Sequence, residues 1–360
     1  MCAKKSIYAV IAGSGCYIPP VVVKNSEFED NIFMNEDGSR IETSGKEITK
    51  KFEQITDIVE RRIAPKDVVT SDMGTYAAKE ALETAGINKE DLDYIIIAHN
   101  LGDMKMGSLY PDILPTIASR IKYKLGIKSH NAVAYDMTFG CPGWTQAMIQ
   151  ANYYIKSGDA KKVLVIGADT VSRSADPHDR DVMIFSDGAG AVVLEARESE
   201  EPVGMLKHVV RTDTDEYIDL LKMGHSYNKD LDGIYLKMLG RKLYNYALTN
   251  VPLVAQQCLT KNNMGLEDVK KVLIHQANAK MDEAILKRIF RLYGKKELDL
   301  SIMPMTIRTL GNSSVATVPT LFDQIVKGKL EGHELKSGDN IMMTSVGAGM
   351  NINAFMYKMP

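Results

Sequence analysis

Cys141 stands in a setting where a cysteine could act as a nucleophile. It follows the apolar segment AVAYDM and a short turn, and Pro142-Gly143 then opens a helix-like stretch. Proline is favoured at the first helical position, so the pattern predicts Cys141 at or beside the start of a helix. The helix dipole and the free amide groups there favour a thiolate, the reactive form of cysteine. A buried core cysteine is the alternative.

His275 and Asn312 could assist such a nucleophile as hydrogen-bond donors. His275 ends the strand-like segment KVLIH, and Asn312 lies in LGNSS before a helix-like pattern. Taken singly, the two residues are also explained by a satisfied histidine at a strand end and by turn or cap chemistry. His99 ends the corresponding segment of the first half and is a rival to His275. The internal alignment places His99 opposite Gln276, so the two histidines are not interchangeable.

The elements that must position these residues follow an α/β pattern. Apolar strand-like segments alternate with helical patterns along the chain, which is typical of buried, largely parallel strands. The second half repeats the order of the first at an offset of about half the chain: Asp91 matches Asp268, and Cys141 matches Asn312. These matches indicate duplication of one α/β unit rather than a solenoid of many repeats.

The duplication divides the chain into an N-terminal half, 1–200, and a C-terminal half, 201–360. In open α/β sheets, ligands bind beyond the carboxyl ends of the strands. Cys141, His275 and Asn312 all fall at such positions, so the two halves are predicted to share one cleft. The polar stretches 35–49 and 224–232 are predicted to be solvated loops or caps without chemistry.

Composition narrows the class of protein. A net charge of -2, with 25% charged and 45% hydrophobic residues, describes an ordinary globular protein and predicts no nucleic-acid partner. The longest apolar runs are too short to span a bilayer, so no membrane association and a cytoplasmic location are expected. The cysteines, Cys2, Cys16, Cys141 and Cys258, form no CxxC pair, so neither a disulfide framework nor a metal site is predicted.

Several motifs in order give the sequence a family resemblance. After the cysteine come FSDGAGA at 185–191, IHQAN at 274–278, GNSS at 311–314 and GAG at 347–349. Together these motifs resemble those of the beta-ketoacyl-ACP synthase III family, and the resemblance covers almost the whole chain. It implies a thiolase-like α/β fold, with duplicated βαβαβαββ halves in five αβαβα layers.

The resemblance also implies a chemistry. Cys141 would carry the acyl group, and His275 and Asn312 would stabilise the enolate formed when malonyl-ACP loses carbon dioxide. The backbone amides of Cys141 and Gly349 would form the other oxyanion hole. No cofactor is expected, because acyl-CoA or acyl-ACP and malonyl-ACP are the substrates.

Partner and pocket residues follow from the same resemblance. Lys280, Lys287 and Arg288 share one face of a predicted helix and correspond to positions that meet the acidic acyl carrier protein, although a merely solvated face is the alternative. Leu114 corresponds to a residue that limits the acyl pocket. A homodimer is expected from the family alone.

Departures from the family pattern leave alternatives open. Lys51 and Ile55 replace the tryptophan and arginine that hold the adenine end of coenzyme A, so an acyl carrier thioester is a possible donor. A non-decarboxylating condensing enzyme or acyltransferase, and a catalytically silent carrier-binding subunit, are the other readings. A dinucleotide-binding oxidoreductase is disfavoured because Gly13-Ser14-Gly15 leads into Pro19-Pro20 rather than a helix.

Overall fold

The computed structural model describes residues 5–108 and 110–360, so Cys2 lies outside the described part. The strands are β1 (Ser6–Tyr17), β2 (Val21–Lys24), β3 (Glu60–Ile63), β4 (Tyr94–Ala98), β5 (Val133–Met137), β6 (Lys162–Thr170), β7 (Asp187–Ser199), β8 (Gly204–Thr212), β9 (Leu221–His225), β10 (Ile234–Met238), β11 (Lys271–Ile274), β12 (Asn340–Gly347) and β13 (Asn351–Lys358). The α-helices are α1 (Gly45–Thr56), α2 (Thr70–Ala85), α3 (Ile117–Lys124), α4 (Gly143–Ser157), α5 (Gly240–Lys261), α6 (Ala279–Leu292), α7 (Ile307–Leu310) and α8 (Thr317–Val326).

Two sheets show the duplication directly. The N-terminal sheet has the order β1-β7-β6-β4-β5, and the C-terminal sheet has the order β8-β13-β12-β11. β4 runs parallel to both β5 and β6, and β11 runs parallel to β12. Each strand of the second sheet therefore has a counterpart in the first, whereas β5 has no counterpart among the strands of the described residues. The predicted α/β duplication is confirmed, with this one difference.

Helices cover and separate the two sheets. α4 and α8 pack between them, because apolar side chains of both helices join one core with strands of both sheets, including Trp144, Phe322 and Phe355. α2 and α3 pack on the outer face of the first sheet. α5 and α6 pack on the outer face of the second. The result is the expected αβαβα layering, with the middle helices buried along most of their length.

One predicted loop is wrong in part. Within 35–49 the chain enters helix α1 at Gly45, and the Ser44 side chain caps it by accepting a hydrogen bond from the Glu47 backbone amide. Ile48 and Phe52 bury the apolar face of this helix. A capping serine followed three residues later by glutamate is a helix-start signal that the polar composition obscured.

The stretch 224–232 also differs from the predicted loop. Its first residues belong to β9, which pairs with β10 as an antiparallel hairpin. Lys237 in β10 forms ion pairs with Asp176 (2.5 Å) and Asp179 (3.1 Å), and these attach the hairpin to the segment that follows β6.

None of the helices described here combines the length and apolarity that a bilayer crossing needs.

Candidate active site

Cys141, His275 and Asn312 line a single cavity of about 210 Å³ between the two halves. Cys141 lies between β5 and α4, His275 directly follows β11, and Asn312 lies between α7 and α8. The carboxyl ends of β5 and β11 thus bring the first two residues to one cleft. The remaining wall is mainly apolar.

Burial favours the protonated form of the Cys141 thiol. Cys141 directly precedes Pro142, the N-cap of α4, so it lies beside the helix start as predicted. Burial raises the pKa of the Cys141 thiol to about 11, with a smaller contribution from the negative charge of Asp169. A hydrogen bond from the Ser314 hydroxyl opposes this rise. Desolvation thus favours the thiol, whereas the helix terminus and the Ser314 hydroxyl favour the thiolate.

His275 is a neutral base with one ring nitrogen free for chemistry. Its Nδ1 lies 2.7 Å from the hydroxyl oxygen of Thr317, and that hydroxyl donates to the Ser314 carbonyl (3.1 Å). Because the Thr317 proton is used in this way, Nδ1 carries the proton and Nε2 is unprotonated. Burial lowers the pKa of His275 to about 4, so the ring is neutral at physiological pH.

Asn312 is oriented as a hydrogen-bond donor. Its side-chain carbonyl accepts from the Ser314 backbone amide at 2.8 Å. Its own backbone bonds to Ile184 and Ser186, which fixes the residue beside Phe185 in the cavity wall. Only 5% of Asn312 is exposed. The amide NH₂ is therefore the part of this side chain left for a substrate oxygen.

His99 has a structural role instead. Its Nε2 lies 3.0 Å from Asp136, and its Nδ1 accepts from the Gly102 backbone amide at 3.0 Å. Asp136 also accepts from the first amides of α3. Both ring nitrogens are thus occupied in joining β4, β5 and α3, which separates His99 from His275 as the internal alignment indicated.

The wall next to Cys141 is formed by the end of β12 and the residue that follows it. Gly347 and Ala348 line the cavity, and Gly349 is not among its lining residues. A Cβ added at Gly347 would lie 2.6 Å from the Cys141 amide nitrogen, so the end of β12 can approach the cysteine only as glycine. A Cβ added at Gly140 would likewise lie 2.9 Å from the backbone nitrogen of Ala348, so the two residues are in close contact.

Leu114 does not reach the cavity within one chain. It is 80% exposed and is absent from the cavity lining. Arg120 holds the surrounding loop by hydrogen bonds to Asp103, Asp112 and the Leu114 carbonyl. This loop therefore presents Leu114 to the outside in a fixed shape.

The predicted docking residues share the exposed side of α6. Lys280, Lys287 and Arg288 are all exposed, and Arg288 also donates to the Leu248 carbonyl of α5 at 3.0 Å. Sequence reasoning missed three further cations that line a surface cleft together with Lys287: Arg291, Lys295 and Lys296. Their spacing after Lys287 on the same helix and its following turn was the available signal.

Sequence reasoning also missed much of the cavity wall. The hairpin β9–β10 contributes several side chains that line it: Leu221, Lys222, Met223, Leu236 and Met238. Alternating apolar residues in these two short strands were the signal, but the polar residues between them favoured a loop. Methionine side chains are flexible, so this wall can adapt to the shape of its ligand.

A duplicated α/β fold with a cysteine, a neutral histidine and an amide donor in one apolar cavity defines a condensing enzyme of the thiolase-like class. The 3-Oxoacyl-[acyl-carrier-protein (ACP)] synthase III model matches residues 135–214, and its C-terminal model matches residues 259–359. Beta-ketoacyl-[acyl-carrier-protein] synthase III 1 of Vibrio vulnificus (strain YJ016) is 34% identical over 95% of this chain and 97% of its own length. The chain therefore belongs to the beta-ketoacyl-ACP synthase III family.

Solved structures agree with this assignment. 3-Oxoacyl-[acyl-carrier-protein] synthase III from Aquifex aeolicus VF5 is 31% identical, with a TM-score of 0.79 over 97% of this chain and 99% of that one. The priming beta-ketosynthase from the R1128 polyketide biosynthetic pathway is 25% identical, with a TM-score of 0.79 over 100% of this chain and 98% of that one.

Proposed function

We propose that this chain condenses an acyl thioester with malonyl-ACP, with loss of carbon dioxide, to form a 3-oxoacyl product in fatty acid or related lipid or polyketide biosynthesis. The observation that carries the proposal is the shared cavity of Cys141, His275 and Asn312 in a member of this family. Each side chain has a chemical state that suits one step of the reaction.

The first step transfers the acyl group to Cys141. Nε2 of His275 takes the thiol proton as sulfur attacks the thioester carbonyl carbon, because a thiol with a pKa of about 11 needs a base at neutral pH. The bond from that carbon to the carrier sulfur breaks, and the leaving thiolate takes the proton from His275. Cys141 is left as a thioester.

The backbone beside Cys141 is suited to stabilise the oxyanion of this step. We assign the Cys141 amide as one donor and the Ala348 amide as the second, in place of Gly349. Ala348 lines the cavity and packs on the turn that carries the cysteine. Two fixed amides in a dry cavity stabilise the developing charge strongly.

The second step uses His275 and Asn312 as donors. Malonyl-ACP loses carbon dioxide, and the electron pair of the broken carbon-carbon bond becomes an enolate whose oxygen accepts from both side chains. Before this step His275 gives its Nδ1 proton to solvent and takes one from solvent on Nε2, and the Thr317 hydroxyl turns to donate to Nδ1. The enolate carbon then attacks the carbonyl carbon of the acyl-cysteine, the new carbon-carbon bond forms, and the bond from that carbon to sulfur breaks. The released Cys141 thiolate takes a proton from solvent.

No metal or cofactor is needed for these bond changes, since the chain's own groups and the thioester substrates supply them. The donor is proposed to be an acyl carrier thioester. Lys51 and Ile55 line a separate cleft that shares Met238 with the active-site cavity, and Arg180 and Arg241 are also in its wall. Four carboxylates, Glu36, Glu47, Asp179 and Asp181, line the same cleft, and the tryptophan that the resemblance implies for coenzyme A is missing. Both features argue against a site for coenzyme A and leave an acyl carrier thioester as the donor.

An acidic acyl carrier protein is proposed to dock on the cationic face of α6.

A second copy of the chain is proposed to cover an exposed apolar edge of the N-terminal sheet. β5 is an edge strand of the N-terminal sheet, and Tyr110, Ile113, Leu114 and Val133 near it are at least half exposed. Such edges and patches are normally covered by a partner. Leu114 would then meet the acyl pocket across the dimer interface, in the cytoplasm where both substrates are expected.

Intact-protein mass spectrometry tests the covalent step. The protein is incubated with a panel of acyl-CoA and acyl-carrier thioesters, and wild type is compared with Cys141→Ala and Cys16→Ala. A chain-selective adduct that only Cys141→Ala loses supports the proposal and identifies donor and chain together. No adduct from any donor would sink the covalent mechanism and favour a silent carrier-binding subunit. Carbon dioxide release from malonyl-ACP then separates condensation from acyl transfer alone.

A further inference from the structure

Ser314 contacts Cys141 and Asn312 directly, and it is connected to His275 through Thr317. Its backbone amide donates to the Asn312 side-chain carbonyl at 2.8 Å. Its backbone carbonyl accepts from the Thr317 hydroxyl, which holds Nδ1 of His275. Its own hydroxyl donates to the sulfur of Cys141 at 3.5 Å. One residue therefore connects the nucleophile, the base and the amide donor.

The backbone of Ser314 is held in an uncommon conformation to make these contacts. Its φ is 55°, in the left-handed region that residues other than glycine, asparagine and aspartate seldom adopt. Such conformations persist where the surroundings fix them, and they are concentrated at functional sites. The two backbone hydrogen bonds to Asn312 and Thr317 both depend on this turn.

A buried hydrogen-bond chain gives the Ser314 hydroxyl its direction. The Asn100 side-chain amide donates to the Ser314 hydroxyl oxygen at 2.9 Å and to Asp169 at 2.6 Å. The Asn100 backbone amide also donates to Asp169, at 3.0 Å, and Asp169 is fully buried. Because the Ser314 oxygen accepts from Asn100, its proton is free to donate, and the sulfur of Cys141 and the Asp169 carboxylate are the two acceptors that it faces. Asn100 donates to Asp169 through both its side chain and its backbone, which leaves the Ser314 proton for the sulfur.

We propose that Ser314 is a positioning residue that holds Cys141, His275 and Asn312 in register and directs one hydrogen bond at the cysteine sulfur, with Asn100 fixing the direction of that bond. The inference deepens the proposed function, on which its catalytic meaning rests. As His275 removes the thiol proton, negative charge grows on the sulfur, and the Ser314 donor stabilises it. Ser314 keeps its own proton throughout, so no further acceptor is needed.

Ser314→Ala tests the hydroxyl while keeping the Cβ and the backbone contacts. The readout is the rate at which iodoacetamide alkylates Cys141 between pH 7 and pH 10, followed by mass spectrometry. Loss of a hydrogen bond to the thiolate raises the thiol pKa by about one unit, but the remaining thiolate is more nucleophilic, so alkylation is expected to be about threefold slower at every pH measured. The matched control is Ser313→Ala, the same change in the adjacent residue, which should alkylate at the wild-type rate.

Asn100→Ala provides a second test that leaves Ser314 and Cys141 intact. It should slow alkylation in the same direction, because the Ser314 hydroxyl loses the donor that orients it. The double variant Ser314→Ala with Asn100→Ala should be no slower than Ser314→Ala alone, since both act through one hydroxyl. Equal rates for Ser314→Ala and Ser313→Ala, or additive effects in the double variant, would overturn the proposal. Alkylation requires no acyl substrate, so a failure of the proposed condensation would leave this result readable.

Discussion

Asn312→Asp should separate the two chemical steps. The substitution keeps the shape of the side chain and the oxygen that accepts from the Ser314 amide, but it replaces the NH₂ donor with an oxygen. Removing one fixed oxyanion donor costs about 10²- to 10³-fold in rate. A carboxylate in this site, which is only 5% exposed, would also repel the enolate. Carbon dioxide release from malonyl-ACP should therefore fall at least about 10²-fold, since the lost donor acts in that step.

Acylation of Cys141 should survive the same change. The Asn312 amide acts after the acyl group has been transferred, so adduct formation should stay within about threefold of wild type. The assay follows both steps on one preparation: adduct mass for the first and labelled carbon dioxide for the second. Asn25→Asp, a change of another buried asparagine beside Arg61, is the matched control and should affect neither step. Retained carbon dioxide release, or equal loss of both steps, would refute the assignment of Asn312 as an enolate donor.

Three further outcomes are expected. Burial holds the pKa of His275 at about 4 against an ordinary 6.5, so folding stability should fall as the pH drops from 6.5 towards 4, by about 3 kcal/mol for this group. In urea unfolding, the free energy of unfolding of His275→Gln should depend less steeply on pH over that range than that of wild type. An unchanged slope would contradict the assignment of this pH dependence to His275. The double variant Lys280→Glu with Lys287→Glu should raise KM for carrier substrates about tenfold at low salt without slowing Cys141 alkylation. The control Lys336→Glu should leave this KM unchanged. A KM that does not depend on the charges of α6 argues against docking there. Leu114→Asp should shift a dimer towards monomer in analytical ultracentrifugation, and a wild type that is already monomeric at micromolar concentration removes the basis for a shared acyl pocket.

The duplicated pattern carried most of what could be predicted from sequence. Matching segments of the two halves predict Cys141, His275 and Asn312 in one cleft. The predicted strand end before Asn312 is wrong, because Asn312 follows helix α7 and β5 has no counterpart there. The alternation of apolar segments with helical patterns predicts the αβαβα layers, because strands buried on both faces of a sheet are almost continuously apolar. His99 was separated from His275 by alignment alone.

Other features depended on distances that the sequence does not encode. The charge state of Cys141 is decided by how deeply the cavity encloses the sulfur, which a local motif cannot report. The proposal of Ala348 rather than Gly349 as the second oxyanion donor depends on which of the two lines the cavity, which the GAG motif does not show. Ser314 was part of a recognised motif, yet its role depends on a φ of 55° and on Asn100, which lies far away in the sequence.

The middle helical layer places Cys141 and Asn312 at equivalent points of the two halves, each just before a central helix. An association of two identical units could present only the same side chain at both points. Joining the units in one chain lets each point change independently, so that one supplies a nucleophile and the other a neutral donor. A substitution at one of the two positions therefore leaves the other unchanged. The different roles of Cys141 and Asn312 depend on the covalent linkage of the two halves as much as on their fold.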